Sequence, residues 1–265
     1  MSRLTRRIAM LPVATGGPPA YDADAAAYFA AMTVQPDATR KGLINDLIVG
    51  AKADGVWSPL DWLLLAGHDA QAALVNARQP AKIATVSGAL TWTTDRGYQG
   101  DGSTGFIDIG EVYNAAGNTY AQNSATVGVW CNLEGGAAGI IPHCGNTGAD
   151  RNAIRPRNTT GNESFNICDS TGSVFMTNVG SRTGHRTGTR QGATDKRGYF
   201  NGGLVATLAI SSTAVSATNG TVFRASTLYT ADRLPAFYSG EGMTGTQVAA
   251  WHARLNTFLT AIGAN

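Results

Sequence analysis

From about Lys82 to Leu234 apolar and polar residues alternate in short runs, separated by Gly, Asn and Ser. Period-two alternation bounded by turn residues predicts half-buried β-strands. Candidate strands lie at residues 83–87, 89–93, 106–109, 125–132, 139–144, 153–157, 165–168, 174–178, 185–191, 196–201, 204–210 and 222–225. Asn201-Gly202 is a two-residue hairpin signal, because such a turn needs positive φ at both positions. So many short strands predict a two-sheet sandwich or jelly roll.

The flanks follow a helical period. Asp22 or Asp24 can cap a helix carrying Tyr28, Phe29 and Met32. Over residues 37–52, Leu43, Ile44, Leu47, Ile48 and Ala51 form one apolar stripe that ends at Asp54-Gly55. Ser58-Pro59, with Asp61 following, predicts a third helix through Trp62, Leu63, Leu64, Leu65 and Ala66, ended or bent at Gly67-His68. Residues 69–76 read as helical or irregular. At the far end Thr244 and Gln247 form a capping box. The stripe Val248, Trp251, Leu255, Phe258, Leu259 and Ile262 then predicts a helix over residues 244–262. The expected division is an extended arm (1–20), a helical attachment segment (21–80), and a sandwich (81–265) closed by the last helix. These helices are too few and short to stand alone, so they should pack on the sandwich or on a partner. There is no fixed-period repeat.

Composition modifies this picture. Apolar residues make up 43%, enough for a core, while charged residues are only 14% and glycines number 33. A surface rich in hydroxyls and amides suits a protein of a large assembly. A net charge of +2 lacks the footprint of a nucleic-acid binder. Arg182, Arg186, Arg190, Lys196 and Arg197 cluster in a Gly/Thr-rich hairpin region and read as a solvated pair of strands, with a phosphate or sugar patch as the alternative. Cys131, Cys144 and Cys168 have no paired spacing and read as small buried hydrophobes in a chain folded under reducing conditions. No apolar run approaches the roughly 18 residues of a membrane span. Arg3, Arg6 and Arg7 before residues 8–14 superficially resemble a signal peptide, but the apolar part is short and broken by Pro12. An extended arm docking on a neighbouring subunit through Arg3, Arg6, Arg7 and Leu11 is the preferred explanation.

Three stretches carry a resemblance: WLLLAGHDAQAALVN at 62–76, TDRGYQGDGSTGFIDIG at 94–110, and AFYSGEGMTGTQVAAWHARLNTFLTAI at 236–262. Together they resemble tailed-bacteriophage virion structural proteins that carry a concanavalin A-like (laminin G-like) sandwich after a short helical segment. KRGYFNGGLV at 196–205 is similar to the LYVDG hairpin of such sandwiches, with Asn201 in place of the usual Asp. The resemblance covers most of the chain from Asp22 onward. It implies a mainly β, jelly-roll fold and a virion component at the tail tip, in a fibre or on the head surface. Its partners would be other virion proteins, bound through the arm and helices, and further copies of itself. Lectins, glycosidases, lyases and plain spacers share this fold, so fold does not settle function.

The residues favour binding over catalysis. A glycosidase needs two carboxylates flanking one bond. Glu111, Glu134 and Glu163 pair on no strand, and Asp101, Asp108, Asp150, Asp169, Asp195 and Asp232 are isolated in sequence. His143 and Cys144 are adjacent, but neighbours on a strand face opposite ways. His143 reads as a strand-end histidine, and His68, His185 and His252 lack metal-ligand spacing. No cofactor is expected apart from a candidate Ca²⁺ site at Asp101 and Asp108, where a turn capped by Asp101 is the preferred alternative. Trp92, Tyr98, Trp130, Tyr199, Phe200, Tyr229 and Tyr238 could stack on sugars, although most alternate as core residues do. The loops at 145–150 and 159–164 are the places to look for recognition. The acceptor-like sequences at Asn158 and Asn162 carry no weight in a chain without a signal peptide. The expected function is a non-enzymatic virion structural protein. A host-receptor or carbohydrate-binding module comes second and a polysaccharide-degrading enzyme third.

Overall fold

The computed structural model describes residues 20–136, 139–146, 152–157, 160–170, 173–177 and 179–265. The attachment residues Arg3, Arg6, Arg7 and Leu11 lie outside them.

Two of the predicted N-terminal helices form. Helix α1 (Ala23–Ala30) is capped by Asp22, which accepts from the Asp24 amide at 2.9 Å. Helix α2 (Ala38–Ala53) is capped by Asp37 and buries Ile44, Leu47, Ile48 and Ala51. The third does not form: Leu60–Leu65 is a strand, β1. Leu60, Leu63 and Leu65 pack towards the helices, while Trp62 and Leu64 pack between the sheets. A strand buried on both faces is apolar at nearly every position and loses the alternation that marks a strand. Asp61 caps no helix. Its carboxylate accepts from the backbone amides of Thr119 and Tyr120 at 2.7 and 2.9 Å, beside a break in strand register.

In chain order the remaining strands are β2 (Thr85–Ser87), β3 (Leu90–Thr93), β4 (Gly97–Gly100), β5 (Phe106–Asp108), β6 (Ala125–Cys131), β7 (Cys144–Gly145), β8 (Ala153–Arg155), β9 (Glu163–Asn166), β10 (Ser173–Met176), β11 (Gly184–Arg190), β12 (Lys196–Phe200), β13 (Gly203–Leu208), β14 (Thr221–Val222), β15 (Arg224–Ala225), β16 (Leu228–Tyr229), β17 (Arg233–Leu234) and β18 (Ala236–Gly240). Helix α3 (Gly245–Ala261) follows, with the Thr244/Gln247 capping box formed. The two main antiparallel sheets have the orders β1-β18-β6-β11-β12-β13 and β10-β9-β8-β7-β14-β5-β2, and β17-β4-β3 and β15-β16 form two smaller ones. The chain is thus mainly β, a two-sheet sandwich with helices on the outer face of the six-stranded sheet. One core lies between helices and sheet and contains Ile48, Leu63, Tyr238, Trp251 and Leu255. The other lies between the sheets and contains Trp62, Val127, Phe165, Val222 and Phe237. Cys131, Cys144 and Cys168 are free and buried. No helix among the described residues is long and apolar enough to cross a membrane.

The basic cluster is buried, not solvated. Arg182, Arg186, Arg190 and Lys196 are all buried. Arg186 pairs with Glu163 at 2.6 Å, Lys196 with Asp169 at 2.8 Å and Arg182 with Asp232 at 2.8 Å. Arg190 donates to the Ile167 and Ile210 carbonyls, each at 2.8 Å. Only Arg197 of the five keeps a half-buried position, paired with Asp195 at 2.8 Å. A buried cation persists only with such partners. The carboxylates that supply them are distant in sequence, so the cluster looked like a surface.

Candidate functional site

The Ca²⁺ candidates sit in separate turns. Asp101 Oδ1 accepts from the Ser103, Thr104 and Gly105 amides at 2.9, 2.8 and 2.8 Å, and Oδ2 from the Thr104 hydroxyl at 2.6 Å. Burial raises its pKa, but these hydrogen bonds outweigh that and hold it well below the usual range. Asp108 accepts from the Gly110 amide at 2.7 Å and from Asn219 at 3.1 Å. Asp101 is committed to its own turn, and Asp108 to the Gly110 amide and the Asn219 side chain.

A second cluster has the residue types of a metal site. Cys131, His143 and Asp232 are buried with ligand atoms within 4.8 Å of one another. The Asp232 carboxylate is already engaged at both oxygens. Asp232 Oδ1 accepts from Arg182 Nη2 at 2.8 Å and the Gly135 amide at 2.7 Å. Its Oδ2 accepts from Arg182 Nε at 2.9 Å and lies 2.8 Å from His143 Nε2. Burial, reinforced by the Asp232 charge, pushes the Cys131 thiol up to about 12. A protonated thiol and a saturated carboxylate make poor ligands beside a guanidinium. The cluster is a buried salt bridge. His143 does stand at a strand end, directly before β7, but its partner Asp232 was not foreseen.

A pocket lined by polar side chains opens at one end of the six-stranded sheet and holds about 360 Å³. Its walls are the end of β6, the start of β11, the β12–β13 turn, α3 and Asn265. The turn explains one wall. Asn201 and Gly202 have φ of 47° and 79°, the left-handed pair that a tight hairpin needs. The Asn201 amide donates to the His185 carbonyl at 2.8 Å, and its Oδ1 accepts from the His185 amide at 2.9 Å. Gly202 lies against His252, where a Cβ would sit 3.0 Å from the His252 Cβ. Asn132 forms another wall. It donates to the Arg96 and Ala264 carbonyls at 3.1 and 2.6 Å and accepts from Arg233 Nε at 2.9 Å. Asn265 donates to Asn256 Oδ1 at 2.6 Å.

Beneath lies an aromatic stack. Trp130, His185 and His252 are mutually stacked, with each pair of ring centroids 5.3 Å apart. Trp130 is only 3% exposed, so His252 is the ring more open to solvent. His185 Nδ1 lies 3.2 Å from His252 Nδ1, and His185 Nε2 lies 2.9 Å from the Tyr238 hydroxyl. Burial lowers the pKa of both histidines, His185 the more strongly, with help from His252 and Arg186. Two neutral imidazoles satisfy this contact, because one Nδ1 must donate and the other accept.

Among the described residues the side-chain nitrogens of Asn201 and Asn256 have no protein acceptor, and no Lys, Arg, Asp or Glu lines the pocket. Amides and a hydroxyl above an aromatic floor suit an uncharged ligand that presents hydroxyl groups. Of the aromatic candidates, Trp130 reaches this pocket and Phe200 a neighbouring one, while Tyr199 and Tyr238 are in the helix–sheet core. The loops at 145–150 and 159–164 lie partly outside the described residues. Asn132, His185, Asn201, His252 and Asn256 went unrecognised as a group because they come from distant elements. The hairpin signal at Asn201 was the one visible clue.

No protein-family model and no curated protein sequence matches the chain. Solved structures do. Trypanosoma rangeli sialidase, in complex with 2,3-difluoro-KDN, aligns with a TM-score of 0.56 at 8% identity, over 82% of this chain and 40% of that one. The receptor-binding domain of botulinum neurotoxin C/D mosaic serotype aligns with a TM-score of 0.56 at 12% identity, over 74% and 51%. Domain 4 of AbnA, a GH43 extracellular arabinanase from Geobacillus stearothermophilus in complex with arabinotriose, aligns with a TM-score of 0.53 at 14% identity, over 72% and 99%. The chain therefore spans less than half of the sialidase and about half of the toxin domain. At these identities the likeness is one of fold: the chain shares a β-sandwich with these proteins.

Proposed function

We propose that this chain is a non-catalytic, saccharide-binding β-sandwich. The observation that carries it is the pocket where the free side-chain amide donors of Asn201 and Asn256 stand over a neutral aromatic stack. The arabinotriose-bound arabinanase domain, aligned over almost its whole length, supports the same ligand class. Carboxylate pairs do meet elsewhere, as at Asp22 and Asp24 across Lys52 and at Glu134 and Asp232 across Arg182. Each pair is tied to its cation and none lines the pocket, which favours binding without bond cleavage.

The test is a defined glycan array followed by calorimetry on wild type and Asn201→Asp. Aspartate keeps the oxygen that accepts from His185 and tolerates the positive φ, but loses the free amide donor. Saccharide affinity should fall about tenfold with the melting temperature unchanged, the size of one lost hydrogen bond with its partner left unpaired. An array without signal would remove the proposal.

The setting we propose is the surface of a tailed-phage particle. There the chain would be a structural component held by residues 1–20 and the helices, in several copies, with the sandwich outward. The four quoted sequence stretches support it. Mass spectrometry of purified particles should find the chain in stoichiometric amounts; its absence would remove the setting and leave the binding proposal intact.

A further inference from the structure

We propose that the ligand is an oligosaccharide crossing the end of the six-stranded sheet, with Phe200 forming a second subsite; this rests on the saccharide proposal above. A second pocket, of about 310 Å³, is lined by Phe200, Met176, Val179, Gly180 and Ser181. It opens on the opposite face of the sheet from the amide pocket. Side chains alternate along β12, so Tyr199 enters the helix–sheet core and Phe200 points the other way.

The two pockets adjoin at the β12–β13 turn, where Phe200 lines one and its neighbour Asn201 the other, and both side chains pack against Gly184. Gly184 lines the amide pocket and has φ of 103°. A Cβ there would lie 2.8 Å from Phe200 Cε2 and 2.9 Å from Asn201 Oδ1. Glycine there lets the Phe200 ring and the Asn201 side chain pack close together, which sets the two subsites side by side at the sheet end.

The Phe200 ring is also held in place. The Arg186 guanidinium lies 5.0 Å from its centroid. That guanidinium is itself fixed by Glu163 at 2.6 Å and by the Arg182 and Ser181 carbonyls at 2.6 and 2.9 Å. A half-buried aromatic ring with an ordered cation beside it is a platform for a sugar ring. A ligand confined to the amide pocket would leave it unused.

The experiment takes the best oligosaccharide from a printed array of defined mono- to hexasaccharides, together with its terminal monosaccharide. Both are titrated calorimetrically into the full chain as wild type, Phe200→Leu, Phe200→Ala and Asn201→Asp. Phe200→Leu keeps apolar bulk over Arg186 and guards against a folding defect. Wild type should bind the oligosaccharide at least about tenfold tighter than the monosaccharide. Both Phe200 variants should lose most of that difference while holding monosaccharide affinity within about twofold, and Asn201→Asp should weaken both ligands. Equal affinity for the two ligands on wild type, or a length preference that survives in Phe200→Leu, would overturn the second subsite and leave the first standing. No binding of any saccharide would overturn both.

Discussion

His143, His185 and His252 all have pKa values lowered from the ordinary 6.5, with burial the leading cause for each. The unfolded chain takes up these protons first, so stability is greatest above about pH 6.5 and falls as pH drops towards the folded values. Glu163, raised by burial, pulls the other way but starts from 4.5, further down the scale. Thermal melts should therefore be flat from about pH 8 to about pH 7 and fall steadily below it; a melting temperature unchanged to about pH 5 would contradict this. The buried pairs yield a sharper contrast. Arg186→Met leaves Glu163 uncompensated and should cost about 3–5 kcal/mol, whereas Arg186→Met with Glu163→Met should recover most of it. Denaturant titration of the single and double variants separates the two outcomes. At this scale the sequence was least informative. Arg186, Gly188 and Arg190 alternate with His185, Thr187 and Thr189, so both faces of β11 are polar and hydrophobicity cannot say which is inside.

Elements were more legible where one face meets water or a cap is local. Helices α1, α2 and α3 were marked by apolar stripes, and α1 and α3 also by Asp22 and Thr244 as caps. The β12–β13 hairpin was marked by Asn201-Gly202. Strands β1 and β18 of the six-stranded sheet were harder. Strand β18, between β1 and β6, is buried at all five positions, and its Ser239 and Gly240 do not suggest a strand. One residue shows how tightly these strands meet. A Cβ at Gly128 would fall 2.1 Å from Cζ of Tyr238 on the adjacent strand. Gly128→Ala should destabilise the fold by about 1–3 kcal/mol through overpacking, measured by chemical unfolding. An unchanged midpoint would show that Tyr238 has room to move.

The whole molecule shares its cores across the expected boundary near residue 80. Leu63 on β1 and Tyr238 on β18 enter one apolar cluster with α2 and α3, while Trp62 of the same β1 enters the other. A chain of residues 81–265 would lack β1, an outer strand of the six-stranded sheet, and would expose the face that the first two helices cover. It should show no cooperative melt, whereas residues 20–265 should unfold in a single transition. The pocket is likewise a property of the whole, assembled from β6, β11, the β12–β13 turn, α3 and Asn265. The most direct test of its role is NMR titration of ¹⁵N-labelled protein with the best saccharide from the array. The side-chain amide signals of Asn201 and Asn256 should shift in a saturable manner while signals from Asn219, bonded to Asp108 and outside the pocket lining, stay in place. A saccharide that binds without moving the Asn201 and Asn256 signals would contradict the account.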